Sequence, residues 1–382
     1  MTSIREDVYS TVAALHQRPQ RLVLEFTGAG AQGLAWLHSQ PGSSRTVLEA
    51  HDRYAYSALH DALGDSLTQA CSATVAQALA ERAWQRAQQL SSESWLLGVG
   101  LTASIASEQA KRGEHRCYIA VRDALGFSQH SLQLHKGARS RDEEEQLVSA
   151  LLIDALARAC GLPALTLPLQ PQERVQRRMQ ANVLLQDWQE HSEQLLSIAA
   201  SGEVALHKRY PDKLLLCGSF NPLHQGHLRL AEVAAQRCGQ PVSFEISLNN
   251  ADKARMRLEH AHWRLSQFAG HAEVILSQAP LFADKAQRFP GSTFIIGADT
   301  ALRLSQSRFY QHDPAAMAQS FDTIRQAGCH FLVAGRYIEA KQGFVTLSDL
   351  ALPAALQDLF TALSEKDFRV DISSSALRAY SD

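Results

Sequence analysis

Short apolar runs alternate along this chain with longer stretches of helical period. Arg21–Phe26 (RLVLEF) predicts a short buried strand that meets a glycine-rich turn, Gly28-Ala-Gly30. Ala70–Gln89 is alanine-rich, with apolar residues on a helical period. Trp95–Leu101 and Cys117–Val121 are short β-type runs bounded by glycine or charge. Arg141–Cys160 predicts a helix. It has an acidic first turn at Asp142–Glu145, apolar Leu147, Leu151, Ala155 and Leu156, and a stop at Gly161. Strands alternating with helices predict a three-layer α/β domain.

Gly161–Pro171 (GLPALTLPLQP) holds three prolines and cannot be one regular element, so a domain boundary is expected there. Glu173–Ala200 follows as a long amphipathic pattern, with Val183, Leu184, Trp188, Leu195, Leu196 and Ile198 as apolar positions. No heptads are sustained, so this predicts a connector helix rather than a coiled coil. From Lys213 a second α/β unit begins: strand Leu214–Cys217, a turn, a helix from about Gly226, then strand Val242–Leu248. Thr293–Ile296 and His330–Val333 complete a parallel-sheet pattern. The expected organisation is a first domain over 1–165, a linker with its helix over 166–209, and a second domain over 210–382. A fragment starting near Ala200 is expected to keep its own core.

Composition narrows the class. With 382 residues, 45% hydrophobic and 20% charged, the chain reads as two globular domains, and disordered or collagen-like readings fall. No stretch approaches the roughly 18 consecutive apolar residues of a membrane span. Met1–Ser10 carries Arg5, Glu6 and Asp7 and lacks a signal-peptide core. A net charge of −2 makes no case for nucleic acid or an anionic membrane as partner. The six cysteines lie far apart with no C-x-x-C, which suits neither a disulfide framework nor structural zinc. A soluble cytoplasmic protein acting on small molecules is expected, with its oligomeric state open, a homo-oligomer included.

The most informative stretch is Lys213-Leu-Leu-Leu-Cys-Gly218-Ser219-Phe220-Asn221-Pro222-Leu-His224-Gln-Gly226-His227. A buried strand runs into Gly218, where a missing side chain lets a ligand approach the backbone. Asn221-Pro222 turns the chain, and His224 and His227 fall at the mouth of the following helix. Unpaired N–H groups and the positive dipole end there suit phosphate, and two imidazoles three residues apart can add donors. Gly226 leaves room for a nucleotide against the backbone. Zinc is an alternative, but the pair has no third ligand nearby. Thr293-Phe-Ile-Ile-Gly297-Ala-Asp299 ends a strand in Gly-x-Asp. Asp371-Ile-Ser373-Ser374-Ser375-Ala-Leu-Arg378 reads as a serine-capped helix start with an arginine beside it.

These three segments resemble, in order and spacing, the signatures of the H-x-G-H nucleotidyltransferase superfamily. Within it, the likeness is to nicotinamide/nicotinate mononucleotide adenylyltransferases, which share the Phe220-Asn221-Pro222 core. The resemblance covers about Lys213 to Asp382 and implies a Rossmann-like nucleotidyltransferase domain with a parallel sheet. It implies that Gly218, Ser219, Phe220, Asn221 and Gly226 cradle nucleotide, and that His224 and His227 act on the phosphates. It further implies that Gly297 and Asp299 meet the ribose, and that Arg378 with Ser373 and Ser374 clamps pyrophosphate. Lys253 fits the basic residue that meets the acceptor phosphate, in a loop unlike the family's. The family's tryptophan after Gly-x-Asp is absent; Phe309 or Tyr310 is the substitute offered.

The first half contains Gly28-x-Gly30-x-x-Gly33 after a strand, with Glu49 at the acidic offset of a dinucleotide-binding fingerprint. The helix it would open is short for a βαβ crossover. This half also resembles the C-terminal domain of the CinA family, which includes nicotinamide mononucleotide deamidases. The likeness runs through Thr27-Gly28-Ala-Gly30, Pro41-Gly42-Ser43-Ser44, Tyr54, Gly98–Ala103 and Arg116–Val121. It implies a three-layer domain with Thr27 at the nucleophile position and Tyr54 as activator. The glycine turn Gly28–Gly33 after a buried strand can itself receive a phosphate. Thr27 can act only if a base takes its proton.

Together these readings predict two α/β domains and adenylyl transfer from ATP, with Mg²⁺, to nicotinamide or nicotinate mononucleotide. The alternatives are a cytidylyl- or phosphopantetheine-type transferase and a non-catalytic pyridine-nucleotide sensor.

Overall fold

The computed structural model describes residues 2–64, 69–108, 112–249, 255–306, 310, 312–338, 343–350, 352–364 and 368–369. The chain forms two compact units. One comprises residues 1–187, 201–203 and 258–270. The other comprises 188–200, 204–257 and 271–382.

The first unit runs α1 (Thr2–Leu15), β1 (Arg21–Thr27), α2 (Ala31–Ser39), α3 (Ser43–Thr46), β2 (Val47–Asp52) and α4 (Tyr56–Leu63). It continues with α5 (Ala73–Leu90), β3 (Leu96–Ser104), β4 (Arg116–Asp123), β5 (Gly126–Gln133), α6 (Arg141–Ala159) and β6 (Gln176–Ala181). The six strands lie in the order β2-β1-β3-β4-β5-β6. β1 is parallel to both β2 and β3, and the remaining pairs are antiparallel.

Strand alternation sorts β1 into two faces. Leu22, Leu24 and Phe26 join the core under α1, α2 and α6, while Val23 packs with Ala83 and Ala87 of α5. The domain is therefore three-layered, as its periodicities predict. α6 begins in a reciprocal cap: Ser140 Oγ accepts the Glu143 N–H, and Glu143 Oε2 accepts the Ser140 N–H. Gly161 follows its end at φ 69°, a left-handed stop.

The long helix expected over Glu173–Ala200 does not form. The segment divides into β6, α7 (Val183–Glu190) and β7 (Leu195–Ile198). Asn182 starts α7 by accepting the Leu185 N–H on its side chain. Leu195, Leu196 and Ile198 are one buried strand run rather than a helical stripe.

The second unit continues with β8 (Val204–His207), β9 (Leu214–Cys217), α8 (Gln225–Cys238) and β10 (Val242–Ser247). Between β10 and the next strand, α9 (Leu258–Ser266) belongs to the first unit. There His262 pairs with Asp123, and Trp263 Nε1–H donates to the Leu162 carbonyl at 2.9 Å. Then come β11 (Val274–Ser277), α10 (Phe282–Arg288), β12 (Thr293–Gly297), α11 (Ala298–Leu304), α12 (Pro314–Gln326) and β13 (His330–Ala334). β14 (Arg336–Ile338), β15 (Gly343–Val345) and β16 (Phe360–Ala362) follow.

The sheet order is β16-β13-β12-β9-β10-β11-β7-β8. From β16 to β11 every pair is parallel, and β7 and β8 add an antiparallel edge. Counting β9, β10, β11, β12 and β13 as first to fifth, the order across the sheet is 3-2-1-4-5. This is the doubly wound arrangement, whose direction of growth reverses between β9 and β12. Among the described residues, no helix is long and apolar enough to cross a membrane.

Candidate functional site

In an open parallel sheet, ligands bind beyond the carboxyl ends of the strands where the order reverses. β9 and β12 are in parallel register there, Leu214 opposite Thr293 and Leu216 opposite Ile295. β9 leads through residues 218–223 into α8, and β12 leads into α11. β13, next along the sheet, leads into β14. His224 and His227 from the first connection, Gly297 and Asp299 from the second, and Arg336 from the third therefore come to one edge.

The turn after β9 is built on an aromatic ring. Phe220 is buried with φ 42°, in the left-handed region that favours glycine. Its ring meets Phe244 edge-on at 5.3 Å and His227 at 4.9 Å. A Cβ on Gly218 would lie 2.7 Å from that ring. The space beside Gly218, expected to admit a ligand, is filled by Phe220; the glycine is needed for internal packing.

His224 is the residue preceding α8, in extended conformation, and His227 lies in its first turn. Their rings stack at 3.7 Å. His227 Nδ1 accepts the His224 backbone N–H at 3.3 Å, so in the neutral ring the proton sits on Nε2. Burial, then the neighbouring His224 and Arg336, push the His227 pKa down to about 3. Burial, then Arg336, also lowers His224, whose Nδ1 has no hydrogen-bond partner among the described residues. Near neutral pH the pair is thus uncharged and presents N–H donors at a helix N-terminus.

Asp299 stands in the first turn of α11, and its Oδ1 lies 3.5 Å from Arg336 Nη1. Arg336 is a site residue that the sequence reading missed. The signal available was a basic residue after Ala334-Gly335, just beyond the His330–Val333 strand, at the sheet end that carries the other motifs.

The first unit disposes of its glycine fingerprint internally. Gly28, at φ 84°, would put a Cβ 2.0 Å from the Ala103 carbonyl oxygen, and Gly33 would meet Leu152 of α6 at 3.0 Å. Glu145 Oε1, from α6, accepts the N–H groups of Gly30 and Gln32 at 2.9 and 3.0 Å. The turn expected to receive a phosphate is already held by a carboxylate. Glu49, at the ribose-binding offset, instead pairs with Arg86 at 2.6 Å and His51 at 3.0 Å. No dinucleotide fingerprint is left. Thr27 is buried, whereas Tyr54 is 65% exposed and its hydroxyl accepts from Arg141 at 3.4 Å. No hydrogen bond joins Thr27 to Tyr54 among the described residues.

Residues 215–379 match the cytidylyltransferase-like family model. The match takes in the parallel strands on both sides of the switch point and both histidines, and supports a nucleotidyltransferase. Among solved structures, the chain is similar to the competence/damage-inducible protein CihA of Agrobacterium tumefaciens. The two are 21% identical over 40% of this chain and 90% of that one, with a TM-score of 0.30. A CinA-superfamily protein of Escherichia coli is 17% identical over 39% of this chain and 87% of that one, with a TM-score of 0.32. No curated protein matches.

Within the cytidylyltransferase-like segment, Lys253, Phe309, Ser373, Ser374 and Arg378 lie outside the described residues. Ser219, Asn221 and Gly226 lie on the turn and first helical turn that carry the histidines. Tyr310, offered as a ring support for the acceptor, is a packing residue. Its hydroxyl donates to the Leu304 carbonyl at 3.1 Å, its ring lies 6.3 Å from Phe321, and burial pushes its pKa up to about 12. Cys217, Cys238 and Cys329 here, like the other three cysteines of the chain, are free thiols.

Proposed function

We propose that this protein transfers an adenylyl group from ATP to nicotinamide or nicotinate mononucleotide, giving a dinucleotide and pyrophosphate. The observation that carries the reading is the pair of neutral histidines at the mouth of α8, on the switch-point edge with Asp299. The family match supports the coarser part of this reading, a nucleotidyltransferase.

The acceptor's 5′-phosphate oxygen attacks the α-phosphorus of ATP as the bond to the β-phosphate oxygen breaks. Pyrophosphate leaves, and no covalent enzyme intermediate forms. Catalysis is then positioning plus stabilisation of phosphate charge. His224 and His227 donate to the phosphates through Nε2–H and bear on the transition state. Asp299, beside Gly297, accepts from the ribose hydroxyls. Lys253 holds the acceptor phosphate, and Arg378 with Ser373 and Ser374 holds the departing pyrophosphate. Mg²⁺ would come as part of the ATP substrate complex and would offset phosphate charge there.

The test is product analysis on the purified full chain with ATP or CTP, Mg²⁺ and either mononucleotide. A dinucleotide with pyrophosphate from ATP is expected. Product from CTP alone would move the reading to cytidylyl transfer. Tight nucleotide binding without product would move it to a sensor.

A further inference from the structure

We propose that Arg336 is a phosphate-binding residue of this site, held on Asp299 in the free protein and passed to a phosphate oxygen when nucleotide binds. The proposal rests on the nucleotidyltransferase reading and names a residue that reading does not use.

Position is the first argument. Arg336 opens β14, with Gly335 alone between it and β13, so a third strand end delivers it to the edge where the two motifs meet. Its backbone is fixed by antiparallel pairing with Val345 rather than carried on a free loop. Its Cδ lies within van der Waals reach, 3.6 Å, of a Cβ placed on Gly297, so its chain covers the glycine end of β12.

The character of its present pair is the second. At 3.5 Å, with the two side chains 45% and 37% exposed, the Arg336–Asp299 contact is loose and solvated. Exposed pairs of this kind contribute little to stability, so exchanging one for a phosphate costs little. The guanidinium fork matches phosphate geometry, and pairing there is charge-assisted.

Charge is the third. The two imidazoles are neutral near pH 7 and offer donors without a full charge, whereas a nucleotide triphosphate is a polyanion. Arg336 is the arginine whose charge both histidines feel. The exchange also releases the Asp299 carboxylate from its cation at the moment a ribose arrives. One movement would arm both ends of the nucleotide site.

The experiment is calorimetric titration of the full chain with ATP and adenosine, and in parallel CTP and cytidine, for wild type, Arg336→Gln and Arg336→Lys. Arg336→Gln is expected to weaken triphosphate binding roughly 10- to 100-fold. Nucleoside binding should be unchanged and the salt dependence of triphosphate binding smaller. Arg336→Lys, which keeps the charge without the fork, should fall between, and it carries the test if the Gln variant folds poorly. Wild-type triphosphate affinity in a folded Arg336→Gln protein would overturn the proposal and leave the transferase reading standing. An equal loss of nucleoside and triphosphate would also overturn it, showing a purely structural arginine. Wild type that binds neither triphosphate would overturn both.

Discussion

Glu145 Oε1 accepts the backbone N–H of Gly30 at 2.9 Å, so a side chain from α6 occupies the place at the head of α2 that a ligand phosphate would take. The same oxygen takes the Gln32 N–H and lies 3.2 Å from Ser149 Oγ, which in turn accepts the Gly33 N–H. Helix starts favour an anion because their first N–H groups have no partner in the helix. Here the fold supplies that anion itself.

Replacing Glu145 with Ala should therefore expose an anion site. The variant is expected to lose about 1–3 kcal/mol through amides left without their acceptor. Added phosphate or sulfate should restore part of that loss, because a ligand of the folded state alone stabilises it. Thermal melts of wild type and variant across a phosphate series are the measurement. Equal phosphate responses would show that the turn is not internally ligated.

His227→Asn keeps an acceptor for the His224 N–H but removes the Nε2–H. Transfer should fall on the order of 10²–10³-fold, the usual cost of one oxyanion donor, in a protein that stays folded. Steady-state turnover next to circular dichroism decides this, and near-normal turnover would sink the histidine assignment.

The same residue sets a pH dependence of stability. Unfolded, His227 titrates near 6.5; folded, it titrates at about 3. Between these values the unfolded chain binds the extra proton, so the stability His227 contributes is complete above pH 6.5 and declines as pH falls towards 3. Denaturant unfolding at several pH values should show a shallower acid decline in His227→Asn than in wild type. Parallel curves would contradict the buried neutral ring.

Gly218→Ala is a test of the aromatic foundation of the turn. The new methyl would meet the Phe220 ring at 2.7 Å, and that ring packs on Phe244 and His227. Overpacking of this kind costs about 1–3 kcal/mol. Because the strain passes to His227, nucleotide affinity should drop with stability. A variant as stable and as tight-binding as wild type would show that Phe220 yields freely.

Cutting near Ala200 is expected to give an insoluble second half, contrary to what the proline-rich boundary suggests. β7, which precedes the cut, pairs with both β8 and β11. α9 lies beyond the cut, but its Ala261 and Leu265, with Phe268 and Ala269 after it, are buried within the first unit. The fragment would lose the strand that joins β8 to the rest of the sheet and expose an apolar helix face. Size-exclusion chromatography of residues 200–382 tests this; a monodisperse, folded fragment would refute it.

Much of the fold was legible because one local pattern sufficed. Leu214–Cys217 is apolar throughout, as a strand buried on both faces must be, and α6 announces itself through its acidic first turn and Gly161. β6 was not legible. Its sequence, Gln176–Ala181, alternates in hydrophobicity only at Met179 and Ala181, because Arg177 takes the remaining less exposed position of this edge strand. β7 was hidden by coincidence, because Leu195, Leu196 and Ile198 fit a helical stripe as well as a buried strand. Period alone cannot separate the two over four residues.

The sequence by itself determined that β9 ends in a turn, that His224 and His227 share a helix mouth, and that Asp299 follows a strand end. Each is a relation between near neighbours, governed by backbone geometry. Only the tertiary structure decided which strand ends stand side by side, and so that Arg336 joins Asp299 and both histidines. It alone decided that Phe220 fills the space beside Gly218, and that Glu145, 115 residues from Gly30, takes the amides of the glycine turn. A glycine pattern records that something must come close to the backbone. Whether that is a ligand, a ring, a carbonyl or a carboxylate depends on parts of the chain far away in sequence, which only packing brings near.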